Sequence, residues 1–473
     1  MASRDGGRMT RRLRATALTL ALAAGGMIAA GGGVAAQQTG GAVFCGDYRA
    51  EAPRWWKGNT HTHTWWSEGD APPEVVAAWY VEHGYNFLVL SDHNILQQGP
   101  IDYGLTGRQS GDEWYYPWPT FWYPFHTNFS GLEAALASYR EHFGDDWVQV
   151  RGQGTKKQVR LRTLDEFRHL FEQAGEFMFI QGEEITAPHN VHVNGINLQS
   201  VIEPRGGEST LEVLQNNLNA VHDQGVATGR RIIAQINHPN YRFGMTVEDL
   251  IAVQYGKGEG FFELYHVDDF FNSHGDDLHV GMEPLWDIVL AKRAAEGRPT
   301  LYAVVSDDAH VFSTVKDERG QAQAGLGWIM VRAARLTPDS IVSAMQRGDF
   351  YATTGVMLRE VARAGSTLQV DIEPQAGGEY TIEFIGTRRG VDLNGTPVTN
   401  VPPDTGGRVS HNYSNDIGVT FDRVRGVSGR YKLRGDELYV RARVISSKPH
   451  PNGNRPGERE MAWTQPLTAG HRN

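Results

Sequence analysis

Short apolar runs alternate with amphipathic segments along most of this chain, a rhythm few folds can satisfy. RWWKGN leads into HTHT, PEVVAAWYVEHGY (Pro73–Tyr85) repeats its apolar residues at helical spacing with Gly84 as a stop, and FLVL (Phe87–Leu90) is a second buried strand. The rhythm resumes with TLDEFRHLFEQAG, a helix opened by a capping box of Thr163 and Glu166. FMFIQGEEIT and VHVNGINL follow as strands close behind one another. TLEVLQNNLNAVHDQG, RIIAQINHPN, TVEDLIAV, FFELYH, EPLWDIVLAKRAAEG and LYAVVSDDAH then alternate helix and strand. LGWIMV and a helix with Thr337 as N-cap complete the series. Alternation this long predicts an α/β fold, a distorted (β/α) barrel rather than an open sheet.

Two regions depart from it. Residues 97–160 carry the run WYYPWPTFWYPF (Trp114–Phe125), too rich in proline for a helix or a central strand. They read either as a surface insertion that buries its own aromatics or as a lid over a site. From about residue 361 to 473, short alternating runs such as TLQVDIE, YTIEFIG and ELYVRARVI separated by turn residues predict a smaller all-β, sandwich-like domain. There a packed Trp463 and a solvated His450 are expected.

The N-terminus resembles an export signal. Five arginines (Arg4 to Arg14) precede an apolar Ala/Leu/Gly run, and Val34-Ala35-Ala36 offers a cleavage site. Residues 1–36 are therefore expected to be removed, 37–54 to act as a linker, and 55–360 to form the main domain. The protein would be periplasmic or secreted, with no membrane span after removal. Cys45 is the single cysteine, so no intrachain disulfide forms. Lys and Arg number 45 against 55 Asp and Glu, a net charge of -10 with no basic stripe beyond the leader. That argues against extended nucleic acid as a partner.

Histidine motifs stand where strands end: HTHT (His61, His63), SDHN (Asp92, His93), INHPN (His238) and SDDAH (Asp308, His310). GEE (Glu183, Glu184) and His192 lie between them. In a barrel, residues at the C-terminal ends of different strands converge on one mouth. An HxH pair on extended backbone puts both imidazoles on one side. Adjacent Glu183 and Glu184 point to opposite faces, so one of them reaches the mouth. Nitrogen and oxygen donors without cysteine suit Zn, Mn or Fe(II). Two such ions roughly 3.5–4 Å apart, sharing a hydroxide, form a hydrolytic centre. His83, His142, His169 and His222 read as structural or exposed, and His266 as either structural or supporting the site. Lys57 and Arg242 are candidate phosphate-binding cations.

The order HTHT…SEG, SDHN, GEEIT with HVNG, NHPN, SDDAH and a closing RGDFYATTG resembles the polymerase-and-histidinol-phosphatase (PHP) family of metal-dependent hydrolases over roughly residues 55–355. The chain is similar to its exported branch with a C-terminal β-domain, of the carbaryl-hydrolase type. The resemblance implies a (β/α)7 PHP-type barrel and two or three divalent ions. His61, His63, Glu184 and Asp308 would hold the first, and Glu184 with His192 and His238 the second. His93, His310 and Glu68 would hold the third, with Glu68 standing where many members have Asp. Catalytic roles fall on Glu184, His238 and Asp308, with Asp92 orienting a ligand. The implied activity is phosphoester hydrolysis on a small-molecule ester. Alternatives are hydrolysis of carbamates, carboxylic esters or amides, and a non-catalytic metal- or ligand-binding protein. The amidohydrolase superfamily also begins with HxH, but its bridging Lys has no counterpart at a matching strand end.

Overall fold

The computed structural model describes residues 52–99, 121–124, 132–256, 258–265, 272–312, 324–399, 401–403, 405–451, 453 and 457–468. The expected leader, Cys45, most of the aromatic run Trp114–Phe125, and His266 lie outside them. Among the described residues no helix is long and apolar enough to cross a membrane.

The chain opens as strand, helix, strand: β1 (Arg54–Asn59), α1 (Pro73–Glu82) and β2 (Phe87–Leu90). Pro73 sits at the first helical position, where a missing N–H costs nothing, and β1 and β2 run parallel. The insertion adds β3 (Trp122–Pro124), α2 (Leu132–Phe143), β4 (Val150–Arg151) and β5 (Gln158–Arg160), whose strands form a small sheet of their own. Its described residues Leu136, Tyr139, Val148, Val159 and Leu161 pack on Trp65, Trp66 and Ile95, just beyond the first two histidine motifs. Then comes α3 (Leu164–Phe167), which carries the expected capping box.

β6 (Met178–Ala187) and β7 (Val191–Ile196) are followed by α4 (Thr210–Thr228), β8 (Ile233–Ile236), α5 (Val247–Ala252) and β9 (Gly260–Tyr265). α6 (Met282–Ala295), β10 (Leu301–Val305), β11 (Trp328–Ala333), α7 (Pro338–Gln346) and β12 (Phe350–Thr353) complete this part. The result is a mixed α/β fold that combines parallel and antiparallel pairs. β2/β6, β8/β9 and β9/β10 are parallel, whereas β6/β7, β7/β8, β1/β11 and β11/β12 are antiparallel. The reason is local. Only Pro188, His189 and Asn190 join β6 to β7, too few for a crossover, and the last two take positive φ (62° and 56°) to close the turn.

The remaining strands are β13 (Leu358–Ala364), β14 (Thr367–Ile372), β15 (Tyr380–Arg388), β16 (Val419–Arg425), β17 (Ser428–Lys432), β18 (Glu437–Pro449), β19 (Arg459–Thr464) and β20 (Leu467–Thr468). β12 pairs with β19, so one sheet runs on through β18, β15 and β16, while β13, β14 and β17 form another. Alternate residues of β14 (Leu368, Val370, Ile372) share a second core with Ile382, Phe384, Val440, Ala442 and Val444. Trp463 is buried as expected. His450 is not solvated: it too is buried, because its Nε2 donates to the Leu326 carbonyl at 3.0 Å.

Candidate metal centre

Backbone hydrogen bonds stitch the strand exits together. Asp308 N donates to His61 O at 3.1 Å, His63 N to Ala309 O at 3.0 Å, and Ser91 N to Thr62 O at 2.9 Å. Glu184 N donates to Ser91 O at 3.1 Å, and Asn94 N to Glu184 O at 2.8 Å. Motifs far apart in sequence are thus held in register by main chain, before any side chain acts. Glu68 arrives on a tight turn in which Gly69 N donates to Thr64 O, and a Cβ on Gly69 would stand 2.7 Å from the His63 carbonyl carbon. His238 and Asp308 adopt positive φ (24° and 48°), a conformation that costs non-glycine residues free energy and persists only where the surroundings fix it.

All nine residues expected as ligands meet there. Glu184 Oε2 lies 3.3 Å from both His61 Nε2 and His63 Nε2 and 2.9 Å from His93 Nδ1. Its Oε1 is 3.1 Å from His192 Nδ1 and 3.2 Å from His238 Nε2. Asp308 Oδ1 stands 3.0 Å from both His61 Nε2 and His63 Nε2. Glu68 Oε1 is 2.8 Å from His93 Nε2 and from His310 Nε2, and 3.3 Å from His63 Nδ1.

These donors fit divalent ions. His61 Nε2 and His63 Nε2 face each other at 3.1 Å, and Glu184 Oε2, fully buried, accepts no well-directed hydrogen bond despite three imidazoles beside it. Buried lone pairs that converge without protons aimed at them are what a cation satisfies. His61, His63, Glu184 and Asp308 have ligand atoms close enough for one ion, as do His63, Glu68, His93 and His310, and His93, Glu184 and His192.

The electrostatics agree. Burial alone would strip protons from His61, but Asp308, Glu263 and Glu184 outweigh it and hold the imidazole well above its ordinary range. His63 is raised to about 9 and His93 to about 10, burial again being overcome, chiefly by Glu68. Burial would raise Glu184, yet the imidazoles around it hold its carboxylate well below the usual range. Protons held this way would compete with a metal ion for the same nitrogens, so metal binding at this cluster would weaken as pH falls.

One residue here escapes the sequence motifs. Glu263 on β9 accepts from His61 Nδ1 at 2.7 Å, Ser306 Oγ at 2.5 Å and Gln235 Nε2 at 3.1 Å, while its other oxygen accepts His238 N at 2.8 Å. It fixes the tautomer of His61 so that the Nε2 lone pair faces the cluster. Its signal in the sequence was a lone carboxylate inside the apolar run FFELY. Asp92 stands behind the cluster, accepting from Thr64 N, Thr64 Oγ1, Ser67 Oγ and Gln97 Nε2, and Ser67 Oγ is 3.3 Å from His63 Nδ1. Asp307 accepts from Tyr80 and from the N–H groups of residues 325–327, so Asp308 alone of the pair faces the imidazoles.

Glu183 points to the opposite face, where its carboxylate accepts Ile202 N at 2.6 Å. Burial pushes it up to about 8. Its folded value exceeds its unfolded value, so ionising it costs stability progressively as pH rises from about 4.5 to 8. Glu183→Gln is therefore expected to be more stable than the parent at pH 8, by on the order of 1–3 kcal/mol, with the gap closing by pH 5. Urea melts at both pH values check this, and an equal gap at each would refute it.

Both candidate cations have partners outside the cluster. Lys57 Nζ donates to His83 O at 3.1 Å and lies over the rings of Tyr85 and Trp328. Arg242 lies 5.2 Å from the Tyr241 ring, which itself borders His238 and His192. His142 and His222 lie on α2 and α4, apart from the cluster.

No protein-family model matches the chain, and no curated protein does. Among solved structures, a two-domain protein from Bacteroides vulgatus containing a predicted PHP-like metal-dependent phosphoesterase aligns with a TM-score of 0.36 and 13% identity, over 87% of this chain and 95% of that one. Likeness that slight does not transfer chemistry, so the functional reading stands on the side chains.

Proposed function

We propose that this chain is a metal-dependent hydrolase of the PHP type acting on a small-molecule ester, with phosphate esters as its substrate class. The observation that carries the reading is Glu184: one buried carboxylate in contact with five imidazoles from four separate segments of the chain. In this reading His61, His63, Glu184 and Asp308 hold one ion, Glu184 with His192 and His238 a second, and Glu68, His93 and His310 a third. The longer arm of Glu68, which reaches two imidazoles at 2.8 Å, supports the third site. Zinc, manganese and iron(II) all suit these donors. Such ions would make water nucleophilic at neutral pH and steady the charge on the attacking and leaving oxygens.

The residues themselves hold and aim. Glu263 sets the His61 tautomer, Asp92 steadies Thr64 and Ser67 beneath His63, and the strained backbone at His238 and Asp308 turns both inward. The reading includes closure of the main strands into a barrel, supported by parallel bridges between Thr62 and Ala309 and between His93 and Glu184. It also includes export directed by residues 1–36 and a C-terminal sandwich.

A second reading, hydrolysis of carbamates or carboxylic esters, is favoured by one observation. Tyr241 sets an aromatic ring 5.7 Å from His192 and 5.5 Å from His238, a wall that suits an uncharged ester or carbamate. The deciding experiment is a metal count on the purified chain, with turnover of phosphomonoesters, phosphodiesters, carboxylic esters and carbamates measured side by side. Two or three divalent ions and chelator-sensitive phosphoesterase activity are expected. Faster carbamate turnover would select the second reading, and a metal-free, inert protein would refute both.

A further inference from the structure

The loop joining β15 to β16 leaves the C-terminal strands and lies against the turn that follows His238. At Gly407 the two backbones come so close that a Cβ would stand 2.4 Å from Arg242 O and 2.5 Å from Phe243 Cβ. Arg408 N donates to Phe243 O at 2.9 Å. Its guanidinium donates to Gly244 O at 3.1 Å and to both carboxylate oxygens of Asp249, the residue that closes the capping box of α5. Val247 N donates to Ser410 Oγ at 3.0 Å. Glu248 Oε1 accepts from His411 N at 3.0 Å and Tyr413 Oη at 2.9 Å.

What this loop braces is strained and borders the cluster. His238, Arg242 and Phe243 have φ of 24°, 48° and 45°. Left-handed backbone is strained for non-glycine residues, so the turn relaxes unless neighbours hold it. Between these positions Tyr241 sets its ring 5.5 Å from His238 and 5.7 Å from His192. Phe243 stacks on His279 at 3.6 Å, which closes the far side. Tyr241 therefore forms a wall beside the edge of the cluster where Glu184, His192 and His238 meet.

We propose that Arg408 is a positioning residue for this rim. By tying Phe243 O, Gly244 O and Asp249 together, it fixes where Tyr241 stands beside His192 and His238, and so how substrate is held against the centre. Its kinetic consequence rests on the hydrolase reading above; its effect on the geometry at His238 does not.

The test compares the full chain with Arg408→Ala, Arg408→Lys and Gly407→Ala. It measures bound metal, kcat and KM on the nitrophenyl ester that the parent cleaves best, and the visible absorption of the cobalt(II)-substituted protein. Arg408→Ala is expected to raise KM about tenfold, with kcat within about threefold, metal content unchanged and the cobalt bands shifted. Arg408→Lys, which keeps the charge but loses the fork, falls between. Gly407→Ala, which pushes the same turn outward, moves KM and the cobalt bands in the same direction and carries the test where Arg408→Ala does not fold. Unchanged KM and unchanged bands overturn the proposal, and so does metal loss with the KM of the loaded fraction at the parent value. A parent that cleaves no ester defeats the hydrolase reading instead, and the cobalt bands alone then decide the role of Arg408.

Discussion

Glu184→Gln is expected to lose bound metal and to lower ester turnover by about 10³-fold or more, the largest effect of any single substitution in this chain. The carboxylate is the contact shared by His61, His63, His93, His192 and His238. An amide in its place keeps one acceptor and turns an N–H₂ toward imidazole nitrogens whose lone pairs are needed for metal. It also removes the charge that offsets a cation in a fully buried site, where uncompensated charge is costly. Glu183→Gln is the matched control, an identical change one residue away on the opposite face of β6. Elemental analysis and turnover measured on both variants separate loss of the centre from damage to the strand. Retained metal and parent-level turnover in Glu184→Gln would remove the centre from the proposed mechanism.

Much of this site was legible because a strand's period places HxH on one side and divides a Glu pair between two faces. His61 and His63 follow from that rule with no structure in hand, whereas it leaves Glu183 and Glu184 open, and the likeness of GEEIT to the family pattern is what singles out Glu184. The exits converge because main-chain bonds link residues 61–63, 91–94, 184 and 308–309, a consequence of strand adjacency that apolar runs announce. Strand direction was less legible. Nothing in the apolar content of β6 and β7 says whether they pair parallel or antiparallel; only the three-residue link between them does. Lys57 and His450 went astray for a different reason. Each is engaged by one carbonyl partner, His83 O for the half-buried Lys57 or Leu326 O for the buried His450, from a segment whose position no local pattern encodes. Glu263 combines both difficulties. Its presence in FFELY was visible, but every residue of β9 is buried, so neither alternation nor exposure indicated which face it served.

Glu263→Gln tests whether that hidden carboxylate tunes the centre. Its Oε1 receives His61 Nδ1, Ser306 Oγ and Gln235 Nε2, and its Oε2 receives the backbone N–H of His238. Each of these four donates. An amide must therefore point its N–H₂ at a donor on one side or the other, loosening either the His61 ring or the strained turn at His238. Partners of this kind are worth about 10–100-fold in metal affinity. Glu263→Gln is expected to bind zinc that much more weakly in a chelator competition, with kcat/KM falling at least as far at limiting metal and recovering in part when metal is raised. Recovery separates it from Glu184→Gln, in which a ligand itself is gone. Because Glu263 is buried, a thermal melt on the metal-free forms must accompany the titration. Weakened zinc binding with an unchanged metal-free melt assigns the effect to the orientation of His61, whereas parent-level affinity would show that the imidazole holds its direction without the carboxylate.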